Sequence, residues 1–170
     1  YYTPTTFTGD SIYDKSTCWQ LRNTIGIALL EGFNKWAKAG LKAFATYNMR
    51  HFTLPKIGED NLMRLSGYNE RELSVGAQML KTQGHVVHYD VSGEFWIGNG
   101  KTGQFHVDAS ADLNVPLFGD TLQVLANAFV HRDEPLLLEN TYHSRHAWWD
   151  NDFDAQFHTR LMGELSLKRL

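Results

Sequence analysis

Residues 54–98, LPKIGEDNLMRLSGYNERELSVGAQMLKTQGHVVHYDVSGEFWIG, are the most sharply punctuated part of the chain and constrain its fold most. Pro55 biases Leu54 away from helix, so residues 51–55 read as a short extended piece. Residues 58–65 read as a short helix and Ser66-Gly67-Tyr68 as a turn. Asn69 suits the N-cap of a second helix, and Glu70 and Glu72 fall in its first turn, where the helix dipole favours anions. Leu73, Gly76, Ala77, Leu80 and Gly84 line one side of that helix, and Gly84 is its expected stop. The other side presents Arg71, Ser74, Val75, Gln78, Lys81 and Thr82. Residues 85–91 and 94–97 then read as two strands flanking Ser92-Gly93, a good two-residue hairpin turn.

Ahead of this segment, Thr17-Cys18-Trp19-Gln20 has the form of a capping box that opens a helix. Leu21, Ile25, Leu29, Phe33, Trp36, Gly40 and Phe44 follow at three- and four-residue spacing, which predicts one apolar stripe on a long helix running to about Tyr47. Beyond Gly98, residues 99–103 read as a loop and residues 104–108 as a third strand. Asp120-Thr121-Leu122-Gln123 reads as another capped helix start, with Leu122, Leu125, Ala126 and Phe129 as its apolar side. Phe153, Phe157, Leu161 and Leu165 mark a last helix. The expected fold class is α+β in one compact domain. Residues 1–14 form a polar extended arm, residues 15–100 the long helix and the helix–turn–helix–hairpin unit, and residues 101–170 a helical and aromatic C-terminal region.

LSGYNERELSVGAQMLKTQGHVV followed by the hairpin resembles the winged helix-turn-helix superfamily, over about 45 of the 170 residues. The resemblance implies that the helix over residues 69–83 is a recognition helix and the hairpin over residues 90–96 its wing. Arg71, Ser74, Gln78 and Lys81 would then reach base edges or phosphates of double-stranded DNA, with Gln78 suited to adenine. The expected function is a non-enzymatic DNA-binding or regulatory module. Winged helices also serve as protein-interaction modules, which is the first alternative.

A second alternative is catalytic. Cys18 at a helix start, His85 opening a strand and Asn99 after its hairpin partner follow an order similar to papain-like cysteine peptidases. That resemblance implies Cys18 as nucleophile, His85 as base and Asn99 as orienting residue. No Gln or Asn lies just ahead of Cys18 to stabilise an oxyanion, and the interval from Cys18 to His85 is shorter than in the papain type. A third constellation is His143 and His146 with Asp150, whose imidazole and carboxylate chemistry suits zinc, manganese or iron. The plainer reading is an aromatic loop around Trp148 and Trp149, so no metal and no cofactor are expected. If exposed, Trp148 and Trp149 suit a protein interface.

Composition sets the remaining expectations. Residues 1–56 carry a charge balance of +4, residues 57–110 of −3 and residues 111–170 of −4, so phosphate affinity would come from the basic N-terminal helix. One cysteine excludes an internal disulfide. Apolar runs such as residues 27–30 and 136–138 fall far short of the roughly 20 residues a membrane helix needs. The expected setting is the cytoplasm, with no membrane contact.

Overall fold

The computed structural model describes residues 15–33, 38–60, 62–98, 103–144 and 147–168. Three-quarters of the described residues are in strands and 3% in helix. In chain order the strands are β1 (Thr17–Leu29), β2 (Gly40–Ile57), β3 (Met63–Lys81), β4 (Val87–Ile97), β5 (Phe105–Leu117) and β6 (Asp120–Asp133). A four-residue helix α1 (Leu137–Asn140), a small hairpin of β7 (Thr141–His143) and β8 (Trp148–Asp150), and strand β9 (Gln156–Lys168) follow. β1 to β6 and β9 form one seven-stranded antiparallel sheet in the order β1-β2-β3-β4-β5-β6-β9.

The α+β reading and the winged unit are therefore corrected, and the physical reason is one of commensurability. A spacing of four residues returns to one side of a helix, but it is also two full periods of a strand. Leu21, Ile25 and Leu29 share a face of β1, and Phe157, Leu161 and Leu165 share a face of β9, for that second reason. The alternation between them is blurred by Asn23 on β1 and by Thr159 and Gly163 on β9. The expected N-terminal helix is β1, the connection and the start of β2. The expected recognition helix is the second half of β3. Ser92-Gly93 is not a turn: Gly93 pairs with Ala77 on one side and Val107 on the other, inside an unbroken β4. Gly84 does sit at a chain reversal, with φ of +108° between β3 and β4.

The register sorts the side chains onto two faces of opposite character. Trp19, Leu21, Ile25 and Ile27 on β1 lie beside Ala43, Ala45 and Tyr47 on β2, and Leu73, Val75 and Met79 on β3 continue that face. It runs on through Val91 and Phe95 on β4, Val107 and Leu113 on β5, and Val124 and Val130 on β6 to Leu161 and Leu165 on β9. The opposite face carries Gln20, Arg22, Asn48, Arg50, Glu72, Ser74, Gln78, Asp90, Glu94, His106, Asp108, Gln123 and His131. Large apolar side chains also occur on it, among them Phe129 and Leu125 on β6 and Phe44 on β2, whose ring covers Gly76 directly across from it.

This arrangement leaves almost no hydrophobic core. Among the described aliphatic and aromatic side chains, Leu54 alone is buried, at 3% exposure. The apolar face lies open instead, with Ile25 79%, Ile27 76%, Leu161 82% and Leu165 72% exposed. The other buried side chains that strand pairing places in mid-sheet are polar: Thr46, Glu72 and Ser74. Water-soluble domains are built the other way round.

Turns alternate between the two ends of the sheet. At one end β5 and β6 are joined by Phe118 and Gly119 alone, both at positive φ (51° and 94°), which matches the twist of the flanking strands. At the other end lies the longest connection, residues 134–155 between β6 and β9, which carries α1 and the β7–β8 hairpin. It folds back against β2: Ile57 N donates to His143 Nδ1 at 3.0 Å, and His143 Nε2 donates to both oxygens of Asp150 at 2.9–3.0 Å. β1 stops pairing at Thr53, so residues 54–57 of β2 would present an open strand edge without this hairpin.

Candidate functional site: the polar concave face

The sheet curls around its polar face. Gln20 and Arg22 of the first strand and Gln156 and His158 of the last line the same cavity of about 430 Å³. Arg50, Glu72, Glu94 and Trp96 supply its floor, and residues 133–136 with Glu139 reach over it from the β6–β9 connection. The sheet is not closed, and β1 and β9 remain its two edges.

Alternation dictates why these side chains converge. Each is on the polar phase of its strand, so neighbouring strands stack them into rows across the sheet. Most of the hydrogen bonds run diagonally between rows, to the residue two positions from the direct cross-strand partner. Gln20 Nε2 donates to Asn48 Oδ1 at 2.8 Å, and Asn48 Nδ2 donates to Glu72 Oε2 at 2.9 Å. Arg50 is paired with Glu72, and its Nε lies 3.2 Å from Glu70. Ser74 Oγ donates to Glu94 at 2.5 Å, Gln78 to Asp90 at 2.9–3.0 Å, and Gln123 to Asp112 at 3.0–3.1 Å. Such crosslinks fix wall side chains that would otherwise sweep the enclosed space.

Charge is segregated across this face. On β1 and β2 its central charged side chains are the basic Arg22, Lys42 and Arg50. On β4, β5 and β6 they are Asp90, Glu94, Asp108, Asp112 and Asp133, with no Lys or Arg on that face of those three strands. A basic wall and an acidic wall thus flank the concavity, with β3 between them carrying Glu70 and Glu72. The net charge of the chain, −3, conceals this division.

The residues singled out from the sequence fall elsewhere. Arg71 and Lys81 lie on the apolar face of β3, while Ser74 and Gln78 lie on the polar face, because a strand separates odd from even positions. No common surface unites them. Cys18 is the second residue of β1, near the β2–β3 end of the sheet, and His85 lies in the β3–β4 turn at the opposite end; Asn99 falls outside the described residues. His143 has both ring nitrogens engaged in holding the β7–β8 hairpin, with Asp150 as one partner; His146 falls outside the described residues. Trp149 donates its indole N–H to Leu138 O at 3.0 Å and stacks on Tyr142, so it serves the hairpin's own packing.

The polar rows themselves escaped sequence reasoning. Their signal was available as every-second-residue polarity, clearest in H-V-D-A-S-A-D-L-N over residues 106–114.

An antiparallel meander of long strands, apolar on its outer face and polar on its concave one, is the wall of a β-barrel. A family model described as "Putative porin" matches residues 1–170, and the chain belongs to that family. Neither a curated protein nor a solved structure matches it. These findings overturn the expectation of a cytoplasmic DNA-binding or regulatory protein that avoids membranes, and with it the papain-like hydrolase. No helix among the described residues is long and apolar enough to cross a membrane, a criterion that does not apply to strands.

Proposed function

We propose that this chain forms the wall of an outer-membrane pore that passes small hydrophilic solutes. The observation that carries the reading is the inverted distribution of polarity: an exposed apolar face backed by a hydrogen-bonded polar one. Strands of 11–19 residues are long enough to cross a bilayer. About 11 residues at roughly 3.3 Å each, tilted by about 40°, cover close to the roughly 25 Å apolar band of such barrels. Alternation also accounts for a mean hydropathy of only −0.38, since half of every spanning strand faces water.

Lipid offers no hydrogen-bond partners, so the outer edges of β1 and β9 must themselves be paired within a bilayer. In the working pore those two edges are therefore paired, with each other or with further strands. Short turns face the periplasm in barrels of this kind, and longer loops face outward. The two-residue β5–β6 turn then marks the periplasmic end and the β6–β9 connection the external mouth, where residues 134–136 and Glu139 of α1 narrow the entrance. The opposed basic and acidic walls would orient dipolar solutes and hold counter-ions of opposite sign on the two sides.

The test is reconstitution of the full chain into planar bilayers. Stepwise ohmic conductance is expected, with a reversal potential in a salt gradient that shifts toward anion preference in Asp108→Asn/Asp112→Asn. A protein that inserts without conducting, or a selectivity indifferent to that pair, rejects the reading.

A further inference from the structure

We infer that β5 and β6 carry a divalent transition-metal site on the polar face, formed by His106, His131 and Asp133. The site rests on the pairing of these two strands and stands whether or not the sheet lines a pore. His106 and His131 are direct cross-strand partners, and Asp133 lies two residues beyond His131 on the same face. One ligand atom from each of the three lies within 4.8 Å of the other two. Two imidazole nitrogens and a carboxylate oxygen are the donor set of zinc and of the other later first-row divalent ions. A ladder position opposite a ladder position with its i+2 neighbour converges three donors without any loop, so the rigid sheet fixes the spacing.

The surroundings support the same assignment. His106 Nε2 is 2.6 Å from Asp133 Oδ1, and His131 Nε2 is 3.1 Å from both oxygens of Asp108. Trp96 packs on the His106 ring and Phe129 on the His131 ring, with centroids 4.7 and 4.6 Å apart, which restricts both imidazoles. Gln104 Nε2 reaches Asp133 at 3.3 Å, while Gln104 Oε1 is buried without a partner among the described residues. An orphaned acceptor beside a three-donor cluster is the group a metal-bound water would satisfy in the fourth coordination position. Asp108 stands outside the cluster as the carboxylate that orients His131.

The experiment titrates Zn2+ into the detergent-solubilised full chain by calorimetry and records the visible d–d spectrum with Co2+. One saturable Zn2+ site per chain is expected, with a Co2+ spectrum of four- or five-coordinate intensity. His106→Ala and His131→Ala should each weaken binding by at least about 100-fold, and Asp108→Asn by about tenfold. His88→Ala, on β4 near the opposite end of the sheet, should leave it unchanged. Copper electron paramagnetic resonance on the unaltered chain gives a reading independent of variant folding, and coupling to two imidazole nitrogens is expected. Absence of saturable Zn2+ binding, equal losses in His88→Ala and His106→Ala, or a copper signal without two nitrogens overturns the site.

Discussion

The two faces of the seven-stranded sheet share one backbone and one register, yet they obey opposite rules. On the outer face, side chains such as Ile25 and Leu161 lie largely exposed. On the inner face, polar side chains are bonded to one another, from Gln20 through Asn48 and the buried Glu72 to Arg50. The difference teaches that stability here is divided between two solvents. The outer face contributes only when lipid covers it, whereas the inner face carries its own partners.

Placing the same side chain on both faces tests that division most severely. Ala111→Arg, at the middle of β5 on the outer face, should lower the folding free energy in lipid vesicles by about 2–4 kcal/mol. Ser110→Arg, one residue away on the inner face, should cost far less. Denaturant titrations of both variants in vesicles check the contrast, and equal losses would erase it. The second test concerns packing on the inner face. A Cβ on Gly76 would collide with the Phe44 ring and lie 2.8 Å from Gly93 O. Gly76→Ala should therefore destabilise by about 1–3 kcal/mol, and adding Phe44→Ala should recover part of the loss. Thermal unfolding of the single and double variants provides the measurement.

Smaller effects sharpen the picture. Glu72→Gln removes the charge that binds Arg50 and should cost roughly 1–2 kcal/mol, with a matching rise in Arg50 mobility by spectroscopy. Outside the strands, Glu31 accepts hydrogen bonds from Thr82 N, Thr82 Oγ1 and Gln83 N, tying the β1–β2 connection to the β3–β4 turn. The Thr82 backbone N–H is the chief cause holding its carboxyl below the ordinary value of 4.5. A carboxyl lowered on folding stabilises fully above its unfolded pKa, and that contribution fades as pH falls through the folded one. Hydrogen exchange at Thr82 and Gln83 should thus accelerate in acid below the usual carboxylate range. Glu31→Gln should show the faster exchange already at neutral pH.

Parts of this molecule were legible in the amino-acid order and parts were concealed by it. Gly84 was readable as a chain reversal, because positive φ suits glycine at such a site. Residues 104–108 were readable as the opening of a strand, since Phe105, His106 and Val107 alternate plainly. The strands β1 and β9 were not, because their apolar residues recur every fourth position where Asn23, Thr159 and Gly163 interrupt the period of two. Residues 73–84 mixed both faces of β3 into one apparent helix stripe: Leu73 and Ala77 belong outside, Gly76 and Leu80 inside. Cys18 and His85 looked like a constellation only while β1 was taken for a helix. The membrane expectation failed for a related reason, since a search for long apolar runs finds spanning helices and passes over alternating strands.

Cysteine-scanning accessibility along β5, with Cys18 first replaced by Ser, tests the two-faced sheet most directly. Single cysteines over residues 105–117 in lipid vesicles should react with a water-soluble maleimide at positions 106, 108, 110, 112 and 114. Those at 107, 109, 111 and 113, labelled with a fluorophore, should be quenched by brominated lipid. Labelling that follows no two-residue period, or quenching at the even positions, would contradict the account.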